Sequence, residues 1–135
     1  MEKSLSRVLL FAITIFFLNS CNGNKTKLIA RSWKIKDLKY TEAVPPEMQS
    51  TVDNWVHMME DSFTLTYKPN GTYISRLGKN NLQGKWNLNL TGSAIVSTAP
   101  DGNKTDFKII ELTPQNFNFE ANQNGSKVIF EMVPE

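Results

Sequence analysis

The run Phe63-Thr64-Leu65-Thr66-Tyr67-Lys68-Pro69-Asn70-Gly71-Thr72-Tyr73 sets the architecture of this chain. Phe63, Leu65 and Tyr67 alternate with threonines, and a period of two puts the apolar set on one face of a strand. Lys68-Pro69-Asn70-Gly71 reads as a turn: proline presets the backbone angle on the way in, and glycine accepts the left-handed region on the way out. The chain returns through residues 72–77, so the stretch is an antiparallel hairpin.

The same period continues downstream. Residues 78–81 turn into Leu82-x-Gly84-x-Trp86-x-Leu88, the most regular alternation in the chain, whose phase points Leu82, Gly84, Trp86, Leu88 and Leu90 inward. Gly92 leads to a strand over 94–98, and Pro100-Asp101-Gly102-Asn103 is a further turn. Residues 104–112 form a strand with Phe107 and Ile109 on one face and Ile110 and Leu112 on the other. Thr113-Pro114-Gln115-Asn116 turns into Phe117-x-Phe119-x-Ala121, and Asn122-Gln123-Asn124-Gly125 into Val128-x-Phe130-x-Met132.

Upstream, residues 28–33 suggest a short helical lead-in. Trp33-Lys34-Ile35 and Leu38-Lys39-Tyr40 alternate out of phase with each other, which a bulge near Lys36-Asp37 reconciles. Pro45-Pro46 closes that strand and opens a helix over about 46–60. Met48, Val52, Trp55, Val56 and Met59 recur on it at helical spacing, an apolar stripe that should lie across one end of a sheet. The count is eight strands with one helix between the first and second. Short strands with turn signals every 8–12 residues predict a mainly β fold, an eight-stranded antiparallel meander or barrel. Closing such a sheet removes its edges.

The N-terminus carries a different kind of information. Lys3 and Arg7 precede an apolar run from Val8 to Leu18, too short for the roughly 20 helical residues that span a bilayer, and the layout is that of a secretory leader. Leu18-Asn19-Ser20-Cys21 resembles a bacterial lipobox, in which the cysteine is lipidated and becomes the new N-terminus. Cys21 is the chain's single cysteine and can form no internal disulfide, so lipidation accounts for it. The expected organisation is therefore a lipoprotein signal peptide over 1–20, lipidated Cys21 and a polar tether over 21–27, and a domain over 28–135. Asn22 after the cysteine, with no aspartate or acidic run following, resembles outer-membrane retention facing the periplasm, in the envelope of a Gram-negative bacterium, with display on the outer surface as the alternative.

The leader holds two of the fifteen basic residues and one of the thirteen acidic ones, which leaves thirteen against twelve and a net charge of +1. A near-neutral domain without a Lys/Arg cluster is not built for nucleic acid. No cofactor motif occurs: there is no phosphate-cradling glycine loop, no nucleophile elbow and no helix-borne histidine pair. His57 is the only histidine and stands alone on the helix. Glu111, Glu120 and Glu131 alternate onto an outer face, so neither a metal site nor a catalytic set is expected and the chain reads as a non-enzyme.

The order of elements resembles the lipocalin-like domain of small bacterial lipoproteins. The matching pieces are Arg31-Ser32-Trp33, the hairpin at 63–73, Gly84-Lys85-Trp86, and Ile-x-Glu-Leu-Thr at 109–113 followed by Phe117-x-Phe119. Arg31 stands where the family's first-strand Gly-x-Trp has glycine. The resemblance implies a barrel with a tendency to bind and transfers no site. Candidate ligand-binding residues are the inward aromatics Trp33, Phe63, Tyr67, Tyr73, Trp86, Phe107 and Phe119. They either line a cavity or fill the barrel, since eight strands leave an interior just wide enough for one or the other; a groove at the mouth near the helix is the intermediate case. Two functions follow: a membrane-anchored binder of a small hydrophobic or amphiphilic molecule, or an accessory scaffold docking onto another cell-envelope protein.

Overall fold

The computed structural model describes residues 23–123 and 125–135. Residues 1–20, expected to be a signal peptide, lie outside the described residues with Cys21, Asn22 and Asn124. Residues 23–29 are helical (α1), so the lead-in precedes the position read from the sequence and takes in residues expected to be tether. The elements that follow are β1 (Ser32–Tyr40), a 3-10 turn (Pro46–Met48), α2 (Gln49–Ser62), β2 (Phe63–Tyr67), β3 (Thr72–Leu77), β4 (Asn80–Leu88), β5 (Ala94–Thr98), β6 (Lys104–Leu112), β7 (Phe117–Gln123) and β8 (Ser126–Pro134).

Each strand pairs antiparallel with the next, and β8 returns to β1, giving a closed eight-stranded barrel. The barrel and the helix between β1 and β2 are those predicted. Closure leaves no row of unpaired backbone groups. The hairpin at 63–73 forms as read: Gly71 has φ +88°, and the Asn70 side chain accepts the Thr72 amide at 3.0 Å. Trp86 locks this turn from the neighbouring strand, its amide donating to the Gly71 carbonyl at 2.9 Å and its indole to the Lys68 carbonyl at 3.0 Å.

Two bulges adjust the phase of the barrel. The first falls between Ile35 and Asp37, which lets Trp33, Ile35 and Leu38 all face the core although they do not share one alternation. The second falls between Ile109 and Glu111. It corrects the reading of the sixth strand: Ile110 is turned outward and is 50% exposed, while Phe107, Ile109 and Leu112 pack against the core together. Leu90, also expected inside, lies beyond the end of β4 and is 99% exposed.

The two ends of the barrel differ. At the end where β1 begins, α1 inserts Ile29 into the core and its carbonyl accepts the Trp33 indole at 3.0 Å. Lys25 Nζ ties α1 to the Gly92 carbonyl in the β4–β5 turn, 2.9 Å away. Arg31 reaches the Pro114 carbonyl in the β6–β7 turn at 2.9 Å and lies over the Trp33 ring. This end is closed. At the opposite end α2 crosses part of the mouth and anchors mainly through Met59, the one fully buried residue of its stripe; Trp55 and Val56 are half-buried and Met48 is exposed. Trp55 meets Tyr40 and Phe130 edge-on, at 6.2 and 6.5 Å between ring centres. The stripe therefore packs less deeply than its periodicity suggests, because the helix overhangs the mouth.

Candidate functional site

The closed half of the interior is solid. Trp33 packs on Phe117 (5.4 Å), Phe117 on Tyr67 (6.2 Å), and Tyr67 edge-on to Trp86 (5.1 Å). Ile29, Ile95 and Met132 complete this half with no solvent exposure. Gly84 fills no space of its own, but its gap is taken: a Cβ there would fall 2.6 and 2.7 Å from two carbons of the Tyr73 ring and would press on the Thr98 carbonyl.

The mouth half is open, with a cavity of about 360 Å³ lined by Met59 of α2 and by inward residues of β2 to β8. Its space has a sequence cause. At this level the inward positions carry Ser75, Ser97, Ala99, Thr105 and Ala121 instead of further large apolar residues. One wall is aromatic: Phe107 stacks on Phe119 at 4.6 Å and Phe119 on Phe130 at 4.8 Å, the second pair within 6° of parallel. Among the described residues no charged side chain lines the cavity.

Of the seven aromatic residues read as ligand candidates, the structure gathers Phe63, Tyr73, Phe107 and Phe119 around the cavity. It does not bring Trp33, Tyr67 or Trp86 there. Their inward alternation holds, but they sit near the closed end, where ring-on-ring packing consumes their surfaces. The sequence reading missed Ser75, Ser97 and Ala121. Their signal was available as small or polar residues in phase with core positions, where a fully packed barrel would place large apolar ones.

The Ser97 hydroxyl gives the cavity floor its polarity. Ser97 is 6% exposed, and Tyr67 lies behind it with 1% exposure. Neither Ser97 Oγ nor Tyr67 Oη has a hydrogen-bond partner of good geometry. Burial drives the Tyr67 phenol far above its ordinary range, and the Ser97 hydroxyl offsets only part of that rise. Tyr73 is raised as well, by burial first and by Asp101 second.

A second hollow of about 470 Å³ lies between α2 and the chain leading into it, bordered by Tyr40, residues 42–45, Met48, Val52 and Trp55. His57 is exposed on α2. Glu131 pairs with Lys39 at 2.8 Å, Glu120 lies 3.8 Å from Lys127, and Glu111 accepts from the Asn118 amide at 3.1 Å, so all three carboxylates are engaged on the outer surface. Among the described residues no group of three or more His, Cys, Asp or Glu is placed to hold a metal ion.

No protein-family model and no curated protein matches this chain. A similar solved structure is that of a lipocalin-like protein from Bacteroides uniformis ATCC 8492, 18% identical, with a TM-score of 0.48, over 76% of this chain and 96% of that one. The architecture described here rests on the strand pairing of the chain itself, the closed up-and-down barrel that lipocalins also use.

Proposed function

We propose that this protein is a membrane-anchored, non-catalytic lipoprotein whose barrel binds a small hydrophobic or amphiphilic molecule. The observation that carries this reading is the cavity of about 360 Å³ at the mouth of a barrel whose other half is solid. That volume is at the lower end of the range for small-molecule sites, which are largely apolar with a few placed polar groups. It holds a compact or single-chain molecule and excludes a two-chain lipid. Leu18-Asn19-Ser20-Cys21 supports anchoring by lipid on Cys21, and Asn22 supports retention at the outer membrane facing the periplasm.

The test is native mass spectrometry of the protein purified from its own host. A co-purifying small molecule, retained by the wild type and lost on filling the cavity with Ala121→Phe, is the expected result. An empty wild-type protein that also takes up no apolar probe would overturn the reading. The runner-up is the accessory scaffold, and one observation favours it: half-buried Trp55 and exposed Met48 border the second hollow on the outside of the barrel. On that reading a cell-envelope protein covers the hollow, and Trp55→Ala abolishes its capture while the cavity stays empty.

A further inference from the structure

We infer that the cavity selects an uncharged molecule that enters polar end first and seats a hydrogen-bond acceptor on the Ser97 hydroxyl, which the Tyr67 hydroxyl backs from outside the lining. This inference rests on the binding reading above and specifies the chemistry of its ligand.

The first step is a count of donors. Ser97 and Tyr67 each carry one O–H. Tyr67 lies outside the lining, and where its O–H is directed at Ser97 Oγ the Ser97 O–H is left with no acceptor among the described groups. A buried polar group left unpaired costs free energy comparable to a lost hydrogen bond. Ser97 faces the cavity from β5, in phase with fully buried Ile95, and rotation about its Cα–Cβ bond swings the hydroxyl among staggered positions. The acceptor that completes the pair therefore has to come from inside the cavity.

The second step is charge. A carboxylate or phosphate is also an acceptor, but bringing it into this site would strip its water without a compensating cation, because no Lys or Arg among the described residues lines the cavity. A carbonyl, ester or ether oxygen meets the Ser97 hydroxyl at far smaller desolvation cost. The third step is orientation. The aromatic wall of Phe107, Phe119 and Phe130 and the Met59 side chain lie along the cavity and accept the apolar body, while the neutral amides of Asn103, Asn122 and Gln123 line its outer part. The ligand class is thus a neutral, mostly apolar molecule with a carbonyl-type oxygen at its leading end.

The experiment is native mass spectrometry of the full chain, freed from detergent in the gas phase, titrated at pH 8 with methyl decanoate and with decanoate. The wild type is expected to retain the ester and not the anion. Ser97→Ala is expected to lower ester affinity about three- to ten-fold, as for loss of a neutral hydrogen bond, and Tyr67→Phe, at a position outside the lining, by less, while melting of the ligand-free variants stays level or rises because an unpaired hydroxyl is gone. If the ester binds but Ser97→Ala holds it as tightly as wild type, or decanoate binds equally well, the polar-floor inference fails and the cavity reading survives. If neither compound binds the wild type, both fail. Ser97→Ala removes a single oxygen and serves as the test should Tyr67→Phe disturb the packing around Trp86.

Discussion

Replacing Gly84 by alanine asks whether the gap in β4 is spare space or part of the packing. The added methyl would meet Tyr73 ring carbons at 2.6 and 2.7 Å and the backbone carbonyl of Thr98. Tyr73 is the cross-strand partner of Gly84 and is buried, with Tyr67 behind it at 6.4 Å between ring centres. Tyr67 blocks the ring on one side, so it can yield only toward the cavity it lines. Thr98 belongs to the ladder with β4, opposite Lys85, so its carbonyl moves only if the strand pair opens. Overpacking typically costs 1–3 kcal/mol, and a conflict with backbone belongs at the top of that range, about 3 kcal/mol. With a urea slope of about 1–3 kcal/mol per molar, the unfolding midpoint should fall by about 1–3 M. Tyr73→Ala in the same chain removes the ring but not the carbonyl, so Gly84→Ala should still cost about half as much in that background. A midpoint within about 0.2 M of wild type for the single variant would refute the reasoning, and so would a cost that vanishes once Tyr73 is gone.

Four further outcomes are expected. Ile109→Ser should cost about 2 kcal/mol and Ile110→Ser less than about 0.5 in urea unfolding, since the second bulge turns one inward and the other out; equal costs would remove the bulge. Trp55→Ala should cost about 1–2 kcal/mol, below the 3–5 of a fully buried tryptophan, because the overhanging helix leaves it half-buried; a loss above about 3 would mean that α2 seats deeper. Folded Tyr67 keeps its proton where the unfolded phenol begins to lose it near pH 10, so its contribution is intact below that pH and stability falls above it, by at most about 1.4 kcal/mol per pH unit. Tyr73 adds to this slope in the same direction, and Tyr67→Phe should make it shallower but not abolish it; an unchanged slope would show that the phenol is hydrated. Cys21→Ser should release the protein from salt-washed membranes, because stable anchoring takes acyl chains; full retention in the pellet would exclude lipid as the anchor.

Legibility in the sequence followed a physical line. Turns were plain because Pro69, Asn70 and Gly71 restrict the backbone locally, and the bulge after Ile35 was plain because polar Lys36 and Asp37 interrupt an apolar phase. The bulge at Ile110 was hidden: Ile109, Ile110 and Leu112 are all apolar, so there was no phase to break. Phe63, Tyr73, Phe107 and Phe119 were readable as inward, but height along the barrel is a property of register between strands, which no single strand carries. That is why Trp33, Tyr67 and Trp86 were grouped with them. The cavity itself is written in Ser75, Ser97 and Ala121, by what those side chains leave unfilled.

The placement of α1 makes the molecule directional. The chain enters the barrel at its sealed end, where Ile29 and the Lys25–Gly92 bond hold the helix, and the cavity opens at the other. Residue 21 precedes the first described residue by two positions, a reach of at most about 7 Å. With acyl chains on Cys21 the sealed base would stand over the bilayer and the mouth would look away from it. Cargo would then be exchanged with the aqueous space, and a donor or acceptor for it would have to be soluble or to reach across from a facing surface.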